Sequence, residues 1–547
     1  MEFLVDAYAW LFDPEPADRP GHLWGRWLFL RGLGLIYFSA FYSLIFQIKG
    51  LIGPDGILPA GEYLQAVGRY FLGGAGRFWY TPTLLWLRSG DRALELLCWA
   101  GIAGSILLVL NIWPRISLLI CFVAFLSFVA AAQDFSGYQS DGMLLEAGFI
   151  SLFFAPPGLR PGLGRAYAPS RASLFLLRWE WFRIYFESGV AKMISGDLSW
   201  RNFRAMDDYY QNGPLPTWIG WYVAQWPRWF HSSTVFLTLA VELVLVWMLF
   251  LPRRFRIICF FIVTPFEIGI ILTANYTFLN YLVLLLGVLL LDDKFLEFAL
   301  PERFRKWIEN RDTAPASDSA DVAPAAPSRT APPSWADNIR RNVGAVHKAL
   351  ASGFLIWIFY ATTAILIGMV APSIPLPEKP ITLLDPFRIA NRYGLFAVMT
   401  HERYEIEFQG TRDGKTWITY PFRYKPQMVP NPPGIYAPYQ PRFEWNLWFA
   451  SLGPWRQYSW VVLTEQRILK GNPDVLGLFA SDPFAGAAPE EVRAVVWQYW
   501  FTDSKTRRAT GAWWRRELRG IYCPALIREP NGKIGADESP SVEPKPE

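Results

Sequence analysis

The sequence predicts a polytopic α-helical membrane bundle of about nine transmembrane helices, followed by a C-terminal β-rich, sandwich-like α+β soluble domain. Three observations predict this class. Apolar runs long enough to cross a bilayer recur along the chain up to residue 371. Hydrophobic residues make up 52% of the 547 residues and charged residues only 18%. After the last apolar run, the period-two alternation that is typical of strands begins.

Nine apolar stretches are candidates for membrane spans. The fourth is short and contains Glu146, so it either crosses fully or is re-entrant. The fifth contains several charged residues. The nine stretches lie at 27–50, 92–111, 115–133, 141–156, 173–191, 233–251, 255–273, 276–292 and 350–371.

Short arginine-rich loops predict the orientation of these spans. The loop at 157–172 and the PRRFR turn at 252–256 each contain three arginines and no acidic residue. Because cytoplasmic loops carry an excess of Lys and Arg, both are expected in the cytoplasm. A cytoplasmic N-terminus follows, with the C-terminal domain on the exported side, luminal or periplasmic.

Composition divides the chain into six parts. Residues 310–335 are rich in Ala and Pro and poor in large apolar residues, which predicts disorder. The predicted parts are a cytoplasmic N-terminal segment (1–26), a helical transmembrane domain (27–292), a cytoplasmic linker (293–349), the last transmembrane helix (350–371), an exported soluble domain (376–528) and a disordered tail (529–547).

Two strand pairs are predicted in the soluble domain. ERYEIEFQG and KTWITYPFRYK alternate and flank a DGK turn, which is the pattern of a hairpin. RAVVWQYWFTD and GAWWRRELRG form a second pair around a turn-rich SKTRRAT segment. Between the pairs, PRFEWNLWFASL and residues 455–470 are predicted helices. We therefore expect a β-sandwich or a curved sheet with inserted helices.

The fifth apolar stretch is unusual because it retains charge. Each Asp, Lys or Arg at the centre of a membrane helix costs roughly 2.5–3.5 kcal/mol. Glu180, Arg183 and Glu187 fall on one helical face, which we therefore expect to point into protein. The ionisable residues of this helix are Arg178, Glu180, Arg183, Glu187 and Lys192.

Two interpretations of the charged helix stay open. Arg183 and Glu187 either brace neighbouring helices or form a ligand or proton site. Lys192 is either an interface anchor or salt-bridge partner, or a functional group. Asp197 is expected to cap the turn before Trp200. Glu146 and Glu267 are expected to pair with Arg31 or Arg183.

Several function classes lack support in the sequence. The four cysteines form no CxxC motif, and no HxxxH, HExxH, GxSxG or phosphate loop occurs. No dense basic run with interleaved aromatic residues indicates nucleic-acid binding. The sequence therefore predicts no metal, no cofactor and no nucleic-acid partner.

Several motifs resemble those of a known family. The segments NRYGLFAVMT at 391–400, RYEIE at 403–407 and PYQPRFEWNLWFA at 438–450 are similar to C-terminal signatures of the lipase maturation factor family. GVAKMISGDLSWRNFRAMDDYYQNGPLPTW at 189–218 is similar to the Lys/Gly-Asp/Trp-Arg motif of its membrane half. The resemblance covers residues 27–518. The chain departs from the family in its long Ala/Pro linker and in Tyr439, where we expect His in animal members.

The resemblance implies a multi-pass protein of the endoplasmic reticulum membrane, or of a bacterial inner membrane, that helps secreted lipases mature. Its implied partners are membrane lipids and exported client proteins, which the C-terminal domain binds. It implies a membrane motif of Glu180, Asp197, Trp200, Arg201, Asp207 and Tyr209. It also implies client-binding candidates Asn391, Tyr393, Arg403, Tyr404, Gln440, Arg442, Trp445 and Trp448.

For part of this set a packing role is the alternative. Arg442, Glu444, Trp445 and Trp448 are then a buried motif, in which an Arg/Glu pair holds a helix to the sheet. If these side chains are instead exposed, they form an aromatic and arginine surface for client proteins, because these residue types are enriched in binding hot spots.

A second and shorter resemblance carries the rival function. YFESGVAKM at 185–193, with Trp200 downstream, is similar to a segment of the vitamin K-dependent gamma-carboxylase and related transmembrane domains. It implies an integral-membrane enzyme with Lys192 as base and with Glu187 and Arg183 setting its pKa. A transporter is a third hypothesis, although no inverted repeat supports it.

Overall fold

Helices fill the first part of the chain. The computed structural model describes residues 2–13, 21–312, 335–529 and 532–536. The first nine helices are α1 (Glu2–Phe12), α2 (Leu23–Ile45), α3 (Ile48–Ile52), α4 (Ala60–Tyr70), α5 (Gly76–Tyr80), α6 (Asp91–Val109), α7 (Pro114–Val129), α8 (Gln139–Phe154) and α9 (Arg171–Ile194).

A further nine helices complete this part. They are α10 (Leu198–Arg201), α11 (Ala205–Asn212), α12 (Trp218–Ala224), α13 (Arg228–Leu243), α14 (Arg253–Thr273), α15 (Leu279–Val288), α16 (Asp293–Ala299), α17 (Glu302–Asp312) and α18 (Trp335–Val370). Short 3₁₀ helices lie at Leu84–Trp86, Gln133–Ser136, Arg165–Tyr167, Leu245–Phe250, Asp385–Phe387 and Trp455–Gln457.

Five helices of the described chain are long and apolar enough to cross a membrane. Helices α7 and α15 are apolar but shorter, and α8 and the charged α9 overlap the fourth and fifth predicted stretches. The membrane bundle is therefore confirmed, with five full-length candidate spans against nine predicted stretches. The five are Leu23–Ile45, Asp91–Val109, Arg228–Phe250, Arg253–Thr273 and Lys348–Val370.

The charged helix α9 lies at the centre of the bundle. It begins at the N-cap Ser170, whose side chain accepts a hydrogen bond from the Ser173 backbone N–H. Helices α8, α13, α15 and α18 pack around it. The charged face therefore points into protein, as its spacing predicts: Glu180 and Glu187 are 0% exposed and Arg183 is 1% exposed.

The C-terminal domain contains one sheet with strand order β2-β1-β3-β4-β5, and every neighbouring pair is antiparallel. The two predicted strand pairs are confirmed. The SKTRRAT segment between β3 and β4 is a helix rather than a turn, because the Asp503 side chain caps it. The elements are β1 (Arg403–Thr411), β2 (Ile418–Thr419), β3 (Glu491–Phe501), β4 (Trp514–Arg528), β5 (Ile534–Ala536), α19 (Lys379–Thr382), α20 (Arg442–Ala450), α21 (Trp460–Leu469), α22 (Pro473–Leu476) and α23 (Ser504–Thr510).

Of the two predicted arrangements, a sandwich or a curved sheet with inserted helices, the described strands fit the second, since they form one sheet. Helices α20 and α21 cover one face of the sheet, where Phe408 and Phe443 stack with ring centroids 6.4 Å apart. Because these helices bury the apolar face, a second sheet is not needed to complete the core.

The described elements add detail to the predicted boundaries. The segment at 293–349 contains α16, α17 and the first part of α18, and the membrane-length part of α18 is Lys348–Val370. The expected tail contains β5, which pairs with the end of β4. Most of the segment predicted to be disordered, residues 313–334, lies outside the described residues.

Candidate functional site

The charged face of α9 binds a segment of the C-terminal half. Arg183 forms a buried ion pair with Glu146 of α8, and its Nη1 donates to the Asn391 carbonyl at 2.8 Å. The Asn391 backbone N–H donates to Glu146 Oε2 at 2.9 Å, and the Tyr393 backbone N–H donates to Glu187 Oε2 at 2.7 Å. The face is therefore a docking site for residues 391–393, and the expected Glu146–Arg183 pair is confirmed.

Close packing makes this docking specific. Asn391 Nδ2 donates to the Gly142 carbonyl at 3.0 Å. A Cβ atom at Gly142 would lie 2.6 Å from Asn391 Oδ1. A side chain at position 142 would force the Asn391 side chain to shift, which would disturb its hydrogen bonds to Gly142 and Glu146.

Lys192 lies one turn beyond this docking site. Its Nζ donates to Ser188 Oγ at 2.6 Å and to both Glu242 carboxylate oxygens at 2.7 and 2.9 Å. The amine also lies 5.0 Å from the ring centroid of Trp200. The charge on Lys192 is therefore matched by a carboxylate of α13, and all three ammonium donors have an acceptor.

The loop after α9 holds the next part of the C-terminal half. Asp197 caps α10 by accepting from the Ser199 backbone N–H, as predicted, and it also accepts from the Met399 backbone N–H at 2.7 Å. Trp200 Nε1 donates to the Phe396 carbonyl at 2.9 Å. The Gly-Asp-Trp part of the membrane motif therefore positions residues 396–399.

The remaining motif residues lie in different surroundings. Tyr209 is buried, and its ring lies 5.7 Å from that of Phe396. Arg201 is exposed, and its Nη2 donates to the Met193 carbonyl at 3.0 Å. Asp207 is also exposed and lies 3.4 Å from His231 Nδ1. Arg201 and Asp207 are therefore not part of the buried site.

Arg442 connects α20 to the bundle. Its Nη1 and Nη2 donate to the two carboxylate oxygens of Asp141 at 2.7 and 2.9 Å, and both side chains are 0% exposed. The expected Arg442–Glu444 pair is wrong. Glu444 instead accepts hydrogen bonds from the backbone N–H groups of residues 423–425.

The other candidates of the C-terminal domain are mostly packing residues. Arg403 donates to the carbonyls of Gln211, Gly213 and Pro214, and Trp448 Nε1 donates to the Asn212 carbonyl at 3.0 Å. The Gln440 carbonyl accepts from Gln47 Nε2 at 2.9 Å. Arg442, Trp445 and Trp448 are at most 7% exposed, so of the two alternatives the buried packing motif fits them and the exposed surface does not. Among the eight candidates, Asn391 and Tyr404 are half-buried and the other six are buried.

A cavity of about 450 Å³ lies beside Lys192, between α9, α13 and α14. Its wall is mainly apolar and aromatic, and its inner end carries Lys192, Glu242 and Glu267. The expected pairing of Glu267 with Arg31 or Arg183 is wrong. Glu267 accepts from Tyr185 Oη at 2.6 Å and from Asn280 Nδ2 at 2.5 Å. Arg31 stacks on Trp27 instead.

Sequence reasoning missed three residues of the site. Asp141 stands at the start of the fourth apolar stretch, and Glu242 lies alone in the sixth. A lone carboxylate in such a stretch is itself a signal, because it needs a buried partner. Asn275 was also missed: its Oδ1 accepts from the backbone N–H groups of Tyr436 and Ala437 at 2.7 and 3.0 Å.

The site combines buried ion pairs with an apolar cavity. Arg183 and Lys192 are paired with carboxylates within the bundle, and Arg442 is paired with Asp141 across the two halves of the chain. The cavity beside Lys192 has a mainly apolar wall that also includes charged side chains. In the described residues, no group of three or more His, Cys, Asp or Glu residues is placed to hold a metal ion.

Comparison with known proteins identifies the family. Residues 24–298 match the lipase maturation factor transmembrane domain, and residues 389–524 match the lipase maturation factor C-terminal domain. The chain is 31% identical to lipase maturation factor 2 of Gallus gallus over 94% of this chain and 82% of that protein. It is 30% identical to lipase maturation factor 1 of Mus musculus over 94% of this chain and 90% of that protein. No solved structure matches. The chain therefore belongs to the lipase maturation factor family.

Proposed function

We propose that this protein is a membrane-anchored maturation factor for exported proteins, with secreted lipases as its clients and its C-terminal domain as the client-binding part. Family membership supports the role, since the relatives carry it in their names. The main structural support for the proposal is the buried contact between the C-terminal sheet domain and the helical bundle. The pairs Arg442–Asp141 and Asn391–Glu146 hold the sheet domain in one fixed position on the bundle.

The contact also supports an orientation. Residues 134–141, 211–214 and 275 contact the C-terminal domain, so they lie at one end of the bundle. The arginine-rich loops lie at the other end, where Arg26 of α2 donates to the Leu163 and Gly164 carbonyls. By the positive-inside rule, the C-terminal domain is then luminal or periplasmic and the N-terminus cytoplasmic.

The client surface that we propose is the open part of the sheet next to the bundle. Trp500 of β3 is half-buried and lies under two arginines of β4, with Arg515 at 4.3 Å and Arg519 at 5.9 Å from its ring centroid. Tyr404, the half-buried candidate on β1, lies on the same face because it pairs with Gln498. Trp, Tyr and Arg are the residue types enriched in binding hot spots.

This surface is tested by secretion of an active lipase. The full chain, expressed in a lipase-secreting host that lacks its own maturation factor, should raise the specific activity of the secreted enzyme. Trp500→Ser with Arg515→Ser should abolish that gain at an unchanged level of the membrane protein. Trp417→Ser is the matched control, because Trp417 stacks on Arg493, with 3.8 Å between the guanidinium carbon and the ring centroid, on the opposite sheet face. A full gain with the double variant, or an equal loss with the control, contradicts the proposed surface.

The rival function, an enzyme with Lys192 as base, fits the geometry less well. A base needs a neutral amine with a free lone pair, whereas Lys192 donates to three oxygens of Ser188 and Glu242. The lysine is one of the residues that line the cavity, so a substrate placed there would still reach it. The two functions are separated by the paired substitution described in the Discussion.

A further inference from the structure

The cavity beside Lys192 has an opening on the outer surface of the bundle. Its rim includes Leu237 of α13 and Leu272 of α14, and each of these leucines is 44% exposed. Both helices belong to candidate membrane spans. The opening therefore faces the lipid hydrocarbon, so a ligand from the bilayer reaches it without crossing water.

The wall behind the opening is suited to a hydrocarbon chain. Phe230, Pro265, Phe266 and Ile270 lie along it, with Val283 further in. The cavity volume of about 450 Å³ is within the range of about 300–1,000 Å³ that is usual for small-molecule sites. Hydrocarbon in this cavity contacts mainly apolar atoms, as it does in lipid.

The inner end of the cavity is polar and contains one more carboxyl group than cations. Lys192 and Glu242 neutralise one another. Glu267 is 3% exposed, and its two oxygens accept from the uncharged donors Tyr185 and Asn280. Among the described residues, no cation pairs with Glu267. Each of its oxygens retains a lone pair for a further donor.

We propose that this cavity binds the acyl chain of a membrane lipid whose uncharged, hydroxyl-bearing headgroup donates a hydrogen bond to Glu267. A fatty-acid carboxylate or a lipid phosphate brings a negative charge to a buried site whose described cation, Lys192, is already paired with Glu242, which is unfavourable. A monoacylglycerol has the matching chemistry, with one chain and free hydroxyl groups.

A second crevice provides an internal reference. It has a volume of about 660 Å³ and lies between α7, α8 and α18, with Phe122, Phe149 and Phe354 in its wall. Within the described part of the chain, no charged side chain lines it. It offers hydrocarbon the same apolar surface but has no group that distinguishes one headgroup from another.

Photocrosslinking tests the proposal with the full chain in phosphatidylcholine nanodiscs. Three probes carry a diazirine in the acyl chain: a monoacylglycerol, palmitic acid and a phosphatidylcholine. The monoacylglycerol probe should label peptides of α13 and α14 about tenfold more than the other two, as expected for one hydrogen bond to a charged acceptor. All three probes should label the second crevice equally. Equal labelling of α13 and α14 by the three probes overturns the proposal.

Two variants locate the site. A Cβ atom at Gly269, in the wall of the cavity, meets nothing within 4 Å, so Gly269→Trp places an indole in the opening and should remove the labelling of α13 and α14. Gly368→Trp on α18 is the matched control, because a Cβ there also meets nothing within 4 Å, and it should leave the labelling unchanged. Glu267→Gln, which adds no bulk, should abolish the preference for monoacylglycerol over palmitic acid. A preference that persists in Glu267→Gln, or labelling that persists in Gly269→Trp, also overturns the proposal.

Discussion

Arg442 of α20 and Asp141 of α8 form a buried bidentate ion pair, with nitrogen–oxygen distances of 2.7 and 2.9 Å. The arginine also donates to the Phe135 carbonyl at 3.0 Å and lies over the ring of Phe128. The sheet domain therefore inserts a charged side chain into the end of the helical bundle. Because both charges are buried, each depends on the other.

Removing one partner of this pair should destabilise the whole protein. Arg442→Met leaves Asp141 buried without a counter-charge, so we expect a loss of about 3–5 kcal/mol in the free energy of unfolding. The double variant Arg442→Met with Asp141→Leu should recover much of it. Thermal unfolding of the detergent-solubilised chain measures both. Lys306→Met, at the exposed Lys306–Glu302 pair, should leave the free energy of unfolding nearly unchanged. If Arg442→Met is as stable as this control, the prediction is contradicted.

The contact at Gly142 should be sensitive to a single methyl group. Gly142→Ala places a Cβ atom 2.6 Å from Asn391 Oδ1, so the Asn391 side chain must shift and its hydrogen bonds to Gly142 and Glu146 should weaken. We expect faster protease cleavage in this segment and a lower unfolding temperature. At Gly353 of α18 a Cβ meets nothing within 4 Å, and Gly353→Ala should change neither. Unchanged cleavage of Gly142→Ala shows that the segment does not depend on this contact.

The sequence predicted the features that depend on local pattern. Period-two alternation located β1, β3 and β4, and the spacing of Glu180, Arg183 and Glu187 placed them on one buried face. The capping role of Asp197 was also predictable, because a cap is formed by neighbours in the chain.

Pairing between distant segments was mostly not predictable. Arg442 and Asp141 are 301 positions apart. The predicted partner, Glu444, is two positions away on the same helix, and such residues do not face each other. Burial of Trp445 and Trp448 likewise depends on how the domain docks, which no local pattern encodes. The choice between a sandwich and a curved sheet stayed open for a related reason, since alternation shows that one sheet face is covered but not what covers it.

The orientation of the chain can be tested with single cysteines. The four native cysteines are all buried, so an introduced exposed cysteine should dominate labelling. In sealed vesicles of known sidedness, a membrane-impermeant maleimide should label Ala166→Cys and Lys415→Cys from opposite sides. Lys415→Cys should react from the luminal or periplasmic side. Labelling of both positions from one side contradicts the proposed orientation.

A paired substitution at Lys192 separates a structural role from a catalytic one. Lys192→Met alone leaves Glu242 buried and uncompensated, so we expect lower stability by about 3–5 kcal/mol and a lower yield of active lipase. Lys192→Met with Glu242→Leu removes both charges and should restore stability and most of the lipase yield. If the double variant regains stability but still yields no active lipase, the rival enzyme interpretation is favoured. Unfolding temperature and secreted lipase activity are measured on the same variants.

The buried carboxyl group of Glu465 should make the stability of the C-terminal domain depend on pH. Glu465 lies on α21 at 0% exposure, and burial raises its pKa well above the usual range, although Cys523 Sγ donates to it at 3.2 Å. Between the unfolded pKa of about 4.3 and the raised folded pKa, the folded state binds the proton and the unfolded state does not. Stability should therefore fall as pH rises through this window, by about 1.4 kcal/mol per pH unit from this group.

Glu465→Gln keeps the shape of the protonated side chain and removes its titration. Between pH 5 and 7, the free energy of unfolding of this variant should therefore fall less than that of the wild type, by about 1.4 kcal/mol per pH unit. Its unfolding temperature should fall less over the same range. Glu517→Gln is the matched control on the exposed surface of the same domain and should keep the wild-type slope. The comparison uses the full chain in one detergent at each pH. If the unfolding temperatures of the wild type and of Glu465→Gln depend equally on pH, the result contradicts a protonated Glu465 in the folded state, because loss of that proton would then not change the stability.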